Sequence, residues 1–184
     1  ITGTTIPSWT TLVDLGTGTA VLSGTPDNDD VGTHSVVLTA TDASGDSSTQ
    51  SYTLTVANSN DAPTVATALT DGSIAEDAAY SLDVNGMCTD VDASDTMTYS
   101  ISGAPSTITI SGTTISGTPV NADVGTHTIT VTCTDSGQAS ASDDYDLTVT
   151  NTNDAPTISS TAVTAVDEDA AYSYTVTAAD VDSG

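Results

Sequence analysis

The residues best suited to chemistry in this sequence are acidic and amide side chains that gather at a few places. Asn and Asp crowd residues 58–61 and 90–95, and Asp42 and Asp135 stand at the ends of two predicted strands. Several carboxylates in one site repel each other unless a cation lies between them. Because oxygen-only ligand sets suit Ca²⁺ best, these clusters indicate calcium sites, with a solvated acidic surface as the plainer alternative.

The overall charge also indicates a chain that coexists with cations. The 184 residues include 25 acidic side chains and no Lys or Arg, so the formal net charge is −25. A protein needs cationic side chains to bind nucleic acids or anionic membrane surfaces. Because this chain has no Lys or Arg, we expect neither as a partner. No apolar run approaches the roughly 18 residues of a membrane span. We therefore expect no membrane span in this segment and an extracellular, cell-surface or matrix location.

The two histidines, His34 and His127, give no sign of a catalytic site. Each opens a predicted strand directly after a Val-Gly-Thr sequence. A catalytic histidine is not expected in every copy of a spacer repeat, and the spacing supports no Ser-His-Asp or Cys-His arrangement. We predict a structural role for both rings and no enzymatic activity.

An internal repeat organises the chain. Three motifs recur after 92 or 93 residues: Asp-Val-Gly-Thr-His at 30–34 and 123–127, Asn-Asp-Ala-Pro at 60–63 and 153–156, and Glu-Asp-Ala-Ala-Tyr-Ser at 76–81 and 168–173. Self-similarity at a fixed period indicates successive copies of one structural unit.

The Asn-Asp-Ala-Pro motif sets the predicted domain boundaries. Residues 61–153 then form one complete repeat, residues 1–60 the C-terminal two-thirds of a preceding repeat, and residues 154–184 the N-terminal third of a following one. Two organisations remain open. The chain is either a window on a longer tandem array, or the front third of one copy completes the back two-thirds of the next. Both give a linear assembly.

Alternating hydrophobicity predicts short β-strands. Apolar residues fall on every second position in segments 127–134 and 145–150, and segments 80–84, 97–101 and 108–110 supply further inward-facing residues. Six or seven short strands in about 93 residues, without a helical period, are typical of a two-sheet sandwich. We predict an all-β fold of tandem antiparallel β-sandwich repeats.

Both cysteines belong to the complete repeat. The positions that match Cys88 and Cys133 in the partial copies hold Ala178 and Ala40, which indicates small, inward-facing sites. The pattern predicts a Cys88–Cys133 disulfide, which would stabilise the fold by about 3–4 kcal/mol in the chain-entropy model and suits an oxidising compartment. Two buried free thiols are the alternative.

Together these motifs give the chain a family resemblance. Over its whole length it resembles the tandem cadherin-like repeats of bacterial and archaeal surface proteins, including the dystroglycan-type and "putative Ig" variants. The resemblance rests on the two Asn-Asp-Ala-Pro segments, on residues 90–95 leading into residues 99–101, and on residues 41–45. It implies cadherin-like or Ig-like sandwiches with one to three Ca²⁺ ions at each joint between successive repeats.

Motif by motif, the resemblance assigns oxygen ligands to two joints. The first would use Asn58, Asn60, Asp61, Asp90, Asp92 and Asp135, with Asn28 and Asp30 as weaker candidates. The second would use Glu76, Asn153, Asp154, Asp180 and Asp182, with Asn121 and Asp123 as weaker candidates. The linker lacks the further Asn that cadherins place before the Ala.

A joint that takes its ligands from two repeats would be flexible without metal and stiff with it. We therefore expect an extracellular structural or adhesive protein, either a calcium-rigidified stalk or a linear filament, whose partners are neighbouring copies of the same repeat or subunit. A cell-surface or glycan target would be a further partner. The alternative is a glycan-binding accessory module of a secreted protein, for which Trp9 and the loop at residues 7–15 are the only basis.

Overall fold

A computed structural model describes residues 1–182 and confirms the predicted all-β fold. The strands fall into two compact units. Unit 1 comprises residues 1–61 and 91–94, and unit 2 comprises residues 62–90 and the described residues from 95 onward. Within residues 1–182 the helical turns are the short 3-10 segments Asn28–Asp30 and Asn121–Asp123, and no helix there is long and apolar enough to cross a bilayer.

Unit 1 contains five strands. They are β1 (Thr2–Thr5), β2 (Thr10–Asp14), β3 (Ala20–Gly24), β4 (Gly32–Thr41) and β5 (Ser47–Val56). The antiparallel sheet β1-β4-β5 packs with the antiparallel hairpin β2-β3 in the same unit. Val36 in β4 is the one aliphatic side chain that is completely buried among the described residues of unit 1. The interior of unit 1 is therefore largely open to solvent.

Unit 2 contains the other eleven strands of the described chain. They are β6 (Thr64–Val65), β7 (Gly72–Ala75), β8 (Tyr80–Asp83), β9 (Cys88–Thr89), β10 (Thr98–Ser102), β11 (Ile108–Ser111), β12 (Thr114–Gly117), β13 (Gly125–Thr134), β14 (Ser140–Thr150), β15 (Thr157–Ile158) and β16 (Ala178–Ala179). One sheet has the order β10-β13-β14-β7 and a second has the order β11-β12-β8, with β6-β9 and β15-β16 as short pairs.

The core of unit 2 lies between these sheets. Alternate residues of β13 and β14 point inward, so that Ile129, Val131, Tyr145 and Leu147 are at most 2% exposed, and Ile115 of β12 meets them from the other sheet. β-Branched and aromatic residues favour such half-buried pleated strands, while the intervening Thr residues form the outer surface. The period-two pattern thus gives each strand its buried side.

One pairing is not antiparallel. β7 runs parallel to β14, with Ile74 opposite Val149. Parallel neighbours need a long crossover rather than a tight turn, and the strands from β8 to β13 supply it here. Hydrophobic alternation fixes which residues point inward but carries no information about strand direction, so this pairing was outside what the pattern could predict.

The Cys88 and Cys133 side chains form a disulfide between β9 and β13. Their Cα atoms lie 6.5 Å apart and the bond closes a loop with a sequence separation of 45 residues. Both residues are buried, so the disulfide fastens the short β9 strand to the main sheet from within the core.

The two histidines close equivalent loops. His34 Nε2 lies 2.6 Å from the carbonyl oxygen of Asp30, and His127 Nε2 lies 2.7 Å from that of Asp123. The glycine two residues before each ring has a φ of 134° or 136°, a region that residues with a Cβ rarely adopt. The repeated Asp-Val-Gly-Thr-His motif therefore encodes a loop, and both rings have the structural role predicted for them.

Candidate metal centre

Three carboxylates that are far apart in the sequence meet in unit 2. Glu76, Asp154 and Asp182, named here the Glu76 cluster, each place one oxygen so that all three oxygens lie within 4.8 Å of one another. Glu76 is 2% exposed, and its Oε2 atom is buried without a hydrogen-bond partner. A buried carboxylate oxygen without a donor is costly, and a bound cation would satisfy it.

Backbone and amide donors hold this cluster in place. The backbone N–H of Thr152 donates to Glu76 Oε1 over 2.8 Å. Asn121 Nδ2 donates to Asp182 Oδ1 over 3.1 Å, and the backbone N–H of Asp154 donates to Asp182 Oδ2. These contacts orient two of the three carboxylates while leaving Glu76 Oε2 available as a ligand atom.

The negative charges of the cluster act on Asp154. Desolvation raises the pKa of the Asp154 carboxyl above its ordinary value, and the carboxylates of Asp182, Asp77, Glu76 and Asp180 raise it further in that order. Like charges disfavour each other's ionised forms. Since the chain has no Lys or Arg to compensate them, the residues present fit a bound divalent cation.

A second set of three carboxylates lies elsewhere in unit 2. Oxygens of Asp90, Asp95 and Asp135, named here the Asp135 cluster, also lie within 4.8 Å of one another. Ala139 donates its backbone N–H to Asp135 Oδ1 over 2.8 Å, and the Ser136 hydroxyl donates to Asp95 Oδ1 over 2.6 Å. Asp95 Oδ2 is buried and accepts no hydrogen bond. This cluster also offers only oxygen ligands.

The disulfide explains why the Asp135 cluster forms. Asp90 follows Cys88 by two residues, and Asp135 follows Cys133 by two residues. The bond between the cysteines therefore brings together the chain segments that carry both carboxylates. Asp95, which belongs to the acidic run at 90–95 but not to the ligand set carried over from the family, joins them. The relevant signal was the disulfide, because it specifies which segments meet.

A third group lies in unit 1. Asn28 Nδ2 donates to Asp61 Oδ2 over 2.9 Å, and the backbone N–H of Asp61 donates to Asp92 Oδ2 over 2.8 Å. Asn28, Asp61 and Asp92 are named here the Asp61 group. Asn58 lines a cavity of about 300 Å³ together with Asn28 and Asp92. Within unit 1 the structure thus places Asp92 with Asp61.

The remaining predicted ligands make local contacts. Asn60 and Asn153 donate their side-chain amides to the carbonyl oxygens of Asp61 and Asp154, both over 2.9 Å, and Asp180 accepts the backbone N–H of Asp182. Asp30 and Asp123 accept the backbone N–H groups of Asp27 and Val120. These bonds close the two 3-10 turns, so both aspartates have a clear structural use.

Asp123 is stabilised in its ionised form by that turn. The backbone N–H of Val120 and then the hydroxyl of Thr107, 2.7 Å away, lower the pKa of the Asp123 carboxyl. Hydrogen bonds to a carboxylate favour its charged state. The turn can therefore hold a negative charge without any cation.

Trp9, the basis of the glycan-binding alternative, is half-buried in unit 1. Its ring packs edge-on against His34 with ring centroids 6.1 Å apart, and its indole nitrogen is buried without a hydrogen-bond partner. Edge-to-face packing of this kind is common in protein cores. The contact gives Trp9 a packing role in unit 1.

Two segments of the chain match the sequence profile of a known family. The sequence profile of the family described as "Putative Ig domain" matches residues 1–57 and 62–150. The chain belongs to this family. The two matched segments of the Ig-domain chain correspond to the two repeat copies found in the sequence, and no curated protein sequence matches it.

Solved structures show the same fold. The Ig-domain chain superposes on protocadherin gamma B7 extracellular cadherin domains 1–4 with a TM-score of 0.59 and 22% identity, covering 100% of this chain and 51% of that one. A protocadherin gamma B7 EC3–6 cis-dimer structure gives 0.58 and 20%, covering 100% and 52%. This chain therefore spans about half of those structures, and the likeness establishes a cadherin-like fold.

A third solved structure superposes less well on this chain. An endo-fucoidan hydrolase of glycoside hydrolase family 107 shares 27% identity over 82% of this Ig-domain chain, with a TM-score of 0.41. The chain spans 24% of the length of that hydrolase.

Proposed function

We propose that this chain is a calcium-binding structural segment of an extracellular protein, in which Ca²⁺ stiffens a linear array of Ig-like repeats. The observation that carries the proposal is the Glu76 cluster. It brings three carboxylates within 4.8 Å, one of them with a buried oxygen that lacks a donor. The chain offers no Lys or Arg to neutralise them.

The ligand chemistry of the cluster favours Ca²⁺. Calcium takes six to eight oxygens in flexible geometry, whereas Mg²⁺ demands a smaller octahedral site. Softer metals prefer nitrogen or sulfur ligands, and the cluster consists of carboxylates. Three carboxylates leave further positions for backbone carbonyls and water, which is a common composition for a calcium site.

The positions of the three carboxylates suggest how binding would stiffen the chain. Glu76 belongs to the repeat 61–153, Asp154 lies at the Asn-Asp-Ala-Pro joint, and Asp182 belongs to the segment that follows. Without a cation the three groups repel each other. With one, they hold segment 154–182 against the preceding repeat, and binding to the folded state alone raises its stability by mass action.

We propose an extracellular setting for this segment. Residues 1–60, 61–153 and 154–184 would be parts of three successive repeats, and neighbouring copies would be the main partners, with a cell-surface or glycan target in addition. The Cys88–Cys133 disulfide supports an oxidising, extracellular location. The role would be structural and adhesive rather than catalytic, at a cell surface or in a matrix.

Calorimetric titration of the 184-residue chain with Ca²⁺ and with Mg²⁺ tests the proposal. We expect Ca²⁺ binding at or below about 1 mM, the range of extracellular modules, and a melting temperature that falls in EDTA. Glu76→Gln should remove one site from the stoichiometry and reduce the calcium-dependent rise in melting temperature. Asp144→Asn, at an exposed position of β14, is the control and should bind normally.

Two results would contradict the proposal. One is the absence of Ca²⁺ binding at millimolar concentration together with identical melting in calcium and in EDTA. The other is equal calcium binding by the Glu76→Gln and Asp144→Asn variants, which would move any binding away from the Glu76 cluster.

A further inference from the structure

We propose that residues 163–175 of a second copy of this chain insert into unit 1 as two strands, one beside β5 and one beside β3. The inference rests on the linear assembly in the proposed function and specifies its contact. The two units carry copies of the same repeat, so unit 2 shows how unit 1 would look with its core covered by two further strands.

In unit 2, two strands from the front of the repeat cover the core. β7 pairs with β14, and β8 pairs with β12. The Tyr80 hydroxyl of β8 donates to the Tyr145 hydroxyl over 3.1 Å. Tyr145 is 2% exposed and Ile115 of β12 is completely buried as a result.

In unit 1, the corresponding edges are open. No strand among residues 1–182 pairs with the second edge of β5 or with the second edge of β3. Tyr52, the counterpart of Tyr145, is 42% exposed. Leu22, the counterpart of Ile115, lines two adjoining cavities of about 440 Å³ and 340 Å³. The inner faces of the sheets therefore border a groove that is mostly apolar.

The segment 163–175 has the sequence of the missing strands. Residues 168–173 repeat the Glu-Asp-Ala-Ala-Tyr-Ser motif that joins β7 to β8 at 76–81. Yet this segment forms no strand, and Val166 and Tyr172, the counterparts of Ile74 and Tyr80, are 53% and 55% exposed. Apolar side chains at spacings that cover a core in unit 2 thus lie on the surface in the described chain.

The corner between the two proposed strands is already formed. Asp169 has a φ of 61°, and its counterpart Asp77 has a φ of 60°. The backbone N–H of Ala170 donates to the carbonyl oxygen of Asp167 over 3.2 Å, as Ala78 does to Ala75 over 3.3 Å in unit 2. A non-glycine residue at positive φ is uncommon. The segment therefore holds the backbone corner that docking requires, which lowers the entropy lost on binding.

Unit 2 also supplies the register. β14 and β7 pair Val149 with Ile74, which places Val166 of the second copy opposite Val56. β12 and β8 pair Ser116 with Ser81, which places Ser173 of the second copy opposite Ser23. This is strand addition to open sheet edges, in which main-chain bonds give affinity and alternate side chains give specificity.

Docking would also complete an acidic site. Asp61 and Asp92 are the counterparts of Asp154 and Asp182, and the same backbone hydrogen bond links each pair. The counterpart of Glu76 is Glu168, which lies in the inserting segment. The second copy would thus bring a third carboxylate to the Asp61 group, and calcium should strengthen the contact.

Disulfide trapping tests the register. Two preparations of the full chain, Ser23→Cys and Ser173→Cys, are mixed under oxidised glutathione. Residues directly opposite each other in antiparallel strands have Cα atoms close enough for a disulfide, so we expect a crosslinked heterodimer. Thr177→Cys in place of Ser173→Cys is the control, since four residues shift the partner by about 13 Å, and it should crosslink at least tenfold less.

Light scattering after size-exclusion chromatography tests association. The parent chain should form concentration-dependent oligomers. Tyr174→Asp, which places a charge on the inward side, should remain monomeric, whereas Thr175→Asp, on the outward side of the same strand, should associate like the parent. Thr175 corresponds to Asp83 of unit 2, so this control introduces a residue already present in the covered repeat.

The outcomes separate this inference from the calcium proposal. A chain that stays monomeric at all concentrations, or that traps Thr177→Cys as well as Ser173→Cys, overturns the docking. That result includes the case in which a preceding segment of a longer protein fills the groove. Trapping without any calcium binding upholds the docking and contradicts the calcium proposal. Calcium binding without trapping upholds the calcium proposal and contradicts the docking.

Discussion

Two pairs of identical residues occupy the same repeat positions in the two units. Tyr52 and Leu54 of unit 1 correspond to Tyr145 and Leu147 of unit 2. Tyr145 is 2% and Leu147 is 0% exposed, whereas Tyr52 is 42% exposed and Leu54 is half-buried. Because the side chains are the same, the difference in burial comes from the strands around them and not from composition.

The strands that make the difference are β7 and β8. They come from the first third of the repeat and lie against β14 and β12. Complete burial of one large apolar side chain is worth about 1.5–3 kcal/mol. Several large apolar side chains are buried in unit 2 while their counterparts in unit 1 are exposed or half-buried. The stability of this repeat therefore depends strongly on the two short strands from its first third.

Among the described residues only unit 2 has a disulfide. Removing this disulfide should have the largest effect on the difference in stability between the two units. Replacing Cys88 and Cys133 by Ala should lower the unfolding free energy of unit 2 by about 4 kcal/mol, the chain-entropy value for a loop of this length. Unit 1 already carries Ala40 at the matching position and should be unaffected. Hydrogen exchange of β13 amides measures the effect in unit 2.

Trp9 provides the control for that experiment. It is the only tryptophan in the chain and lies in unit 1, so its fluorescence during denaturant unfolding reports on that unit. An equal shift of the Trp9 transition and of β13 exchange would show that the units do not unfold independently, and the comparison between them would fail.

A matched pair of core truncations should have the next largest effect. Leu147→Ala removes a completely buried side chain and should cost about 3 kcal/mol, since the cavity adds to the lost transfer energy. Leu54→Ala removes the same side chain from an open interior and should cost about 1 kcal/mol or less in dilute solution. The two values come from β13 exchange and Trp9 fluorescence. Equal costs would mean that the interior of unit 1 is covered in solution.

The fold was largely predictable because its signals are local. Alternation in segments 127–134 and 145–150 gave the inward residues, and the 93-residue period gave the equivalence of the two units. β14 nevertheless begins at Ser140, five residues before the predicted segment. Its first residues are Ser, Ala and Asp, which show no alternation and become a strand by pairing with the end of β13.

The acidic groups were less predictable because they depend on tertiary contacts. The family resemblance assigned Asp90 and Asp92 to one joint, and that assignment stays a prediction. In the structure Asp90 and Asp95 join Asp135, while Asp92 accepts the backbone N–H of Asp61. Spacing alone does not say which atoms each carboxylate of an irregular segment contacts. Asp30 and Asp123, the weaker ligand candidates, accept backbone N–H groups in the two 3-10 turns, and their role as ligands stays a prediction.

The smallest effect is a pH dependence that follows from burial of Tyr145. Desolvation is the main cause that raises the pKa of the Tyr145 phenol above its ordinary value of 10.0, and the Tyr80 hydroxyl adds to it. The folded state therefore keeps this proton at pH values where the unfolded chain releases it. Its stabilising contribution is complete below pH 10 and is lost progressively as the pH rises toward the folded pKa.

Tyr145→Phe separates this proton effect from packing. At neutral pH the variant should lose about 1 kcal/mol with the Tyr80 hydrogen bond, whereas Tyr52→Phe at the exposed counterpart should change stability by less than about 0.5 kcal/mol. Between pH 10 and pH 11.5 the unfolding free energy of unit 2 should fall less steeply in Tyr145→Phe than in the parent chain. Parallel curves for the two proteins would mean that the phenol is not held neutral by the core, and the burial that distinguishes unit 2 from unit 1 would then be smaller than the structure indicates.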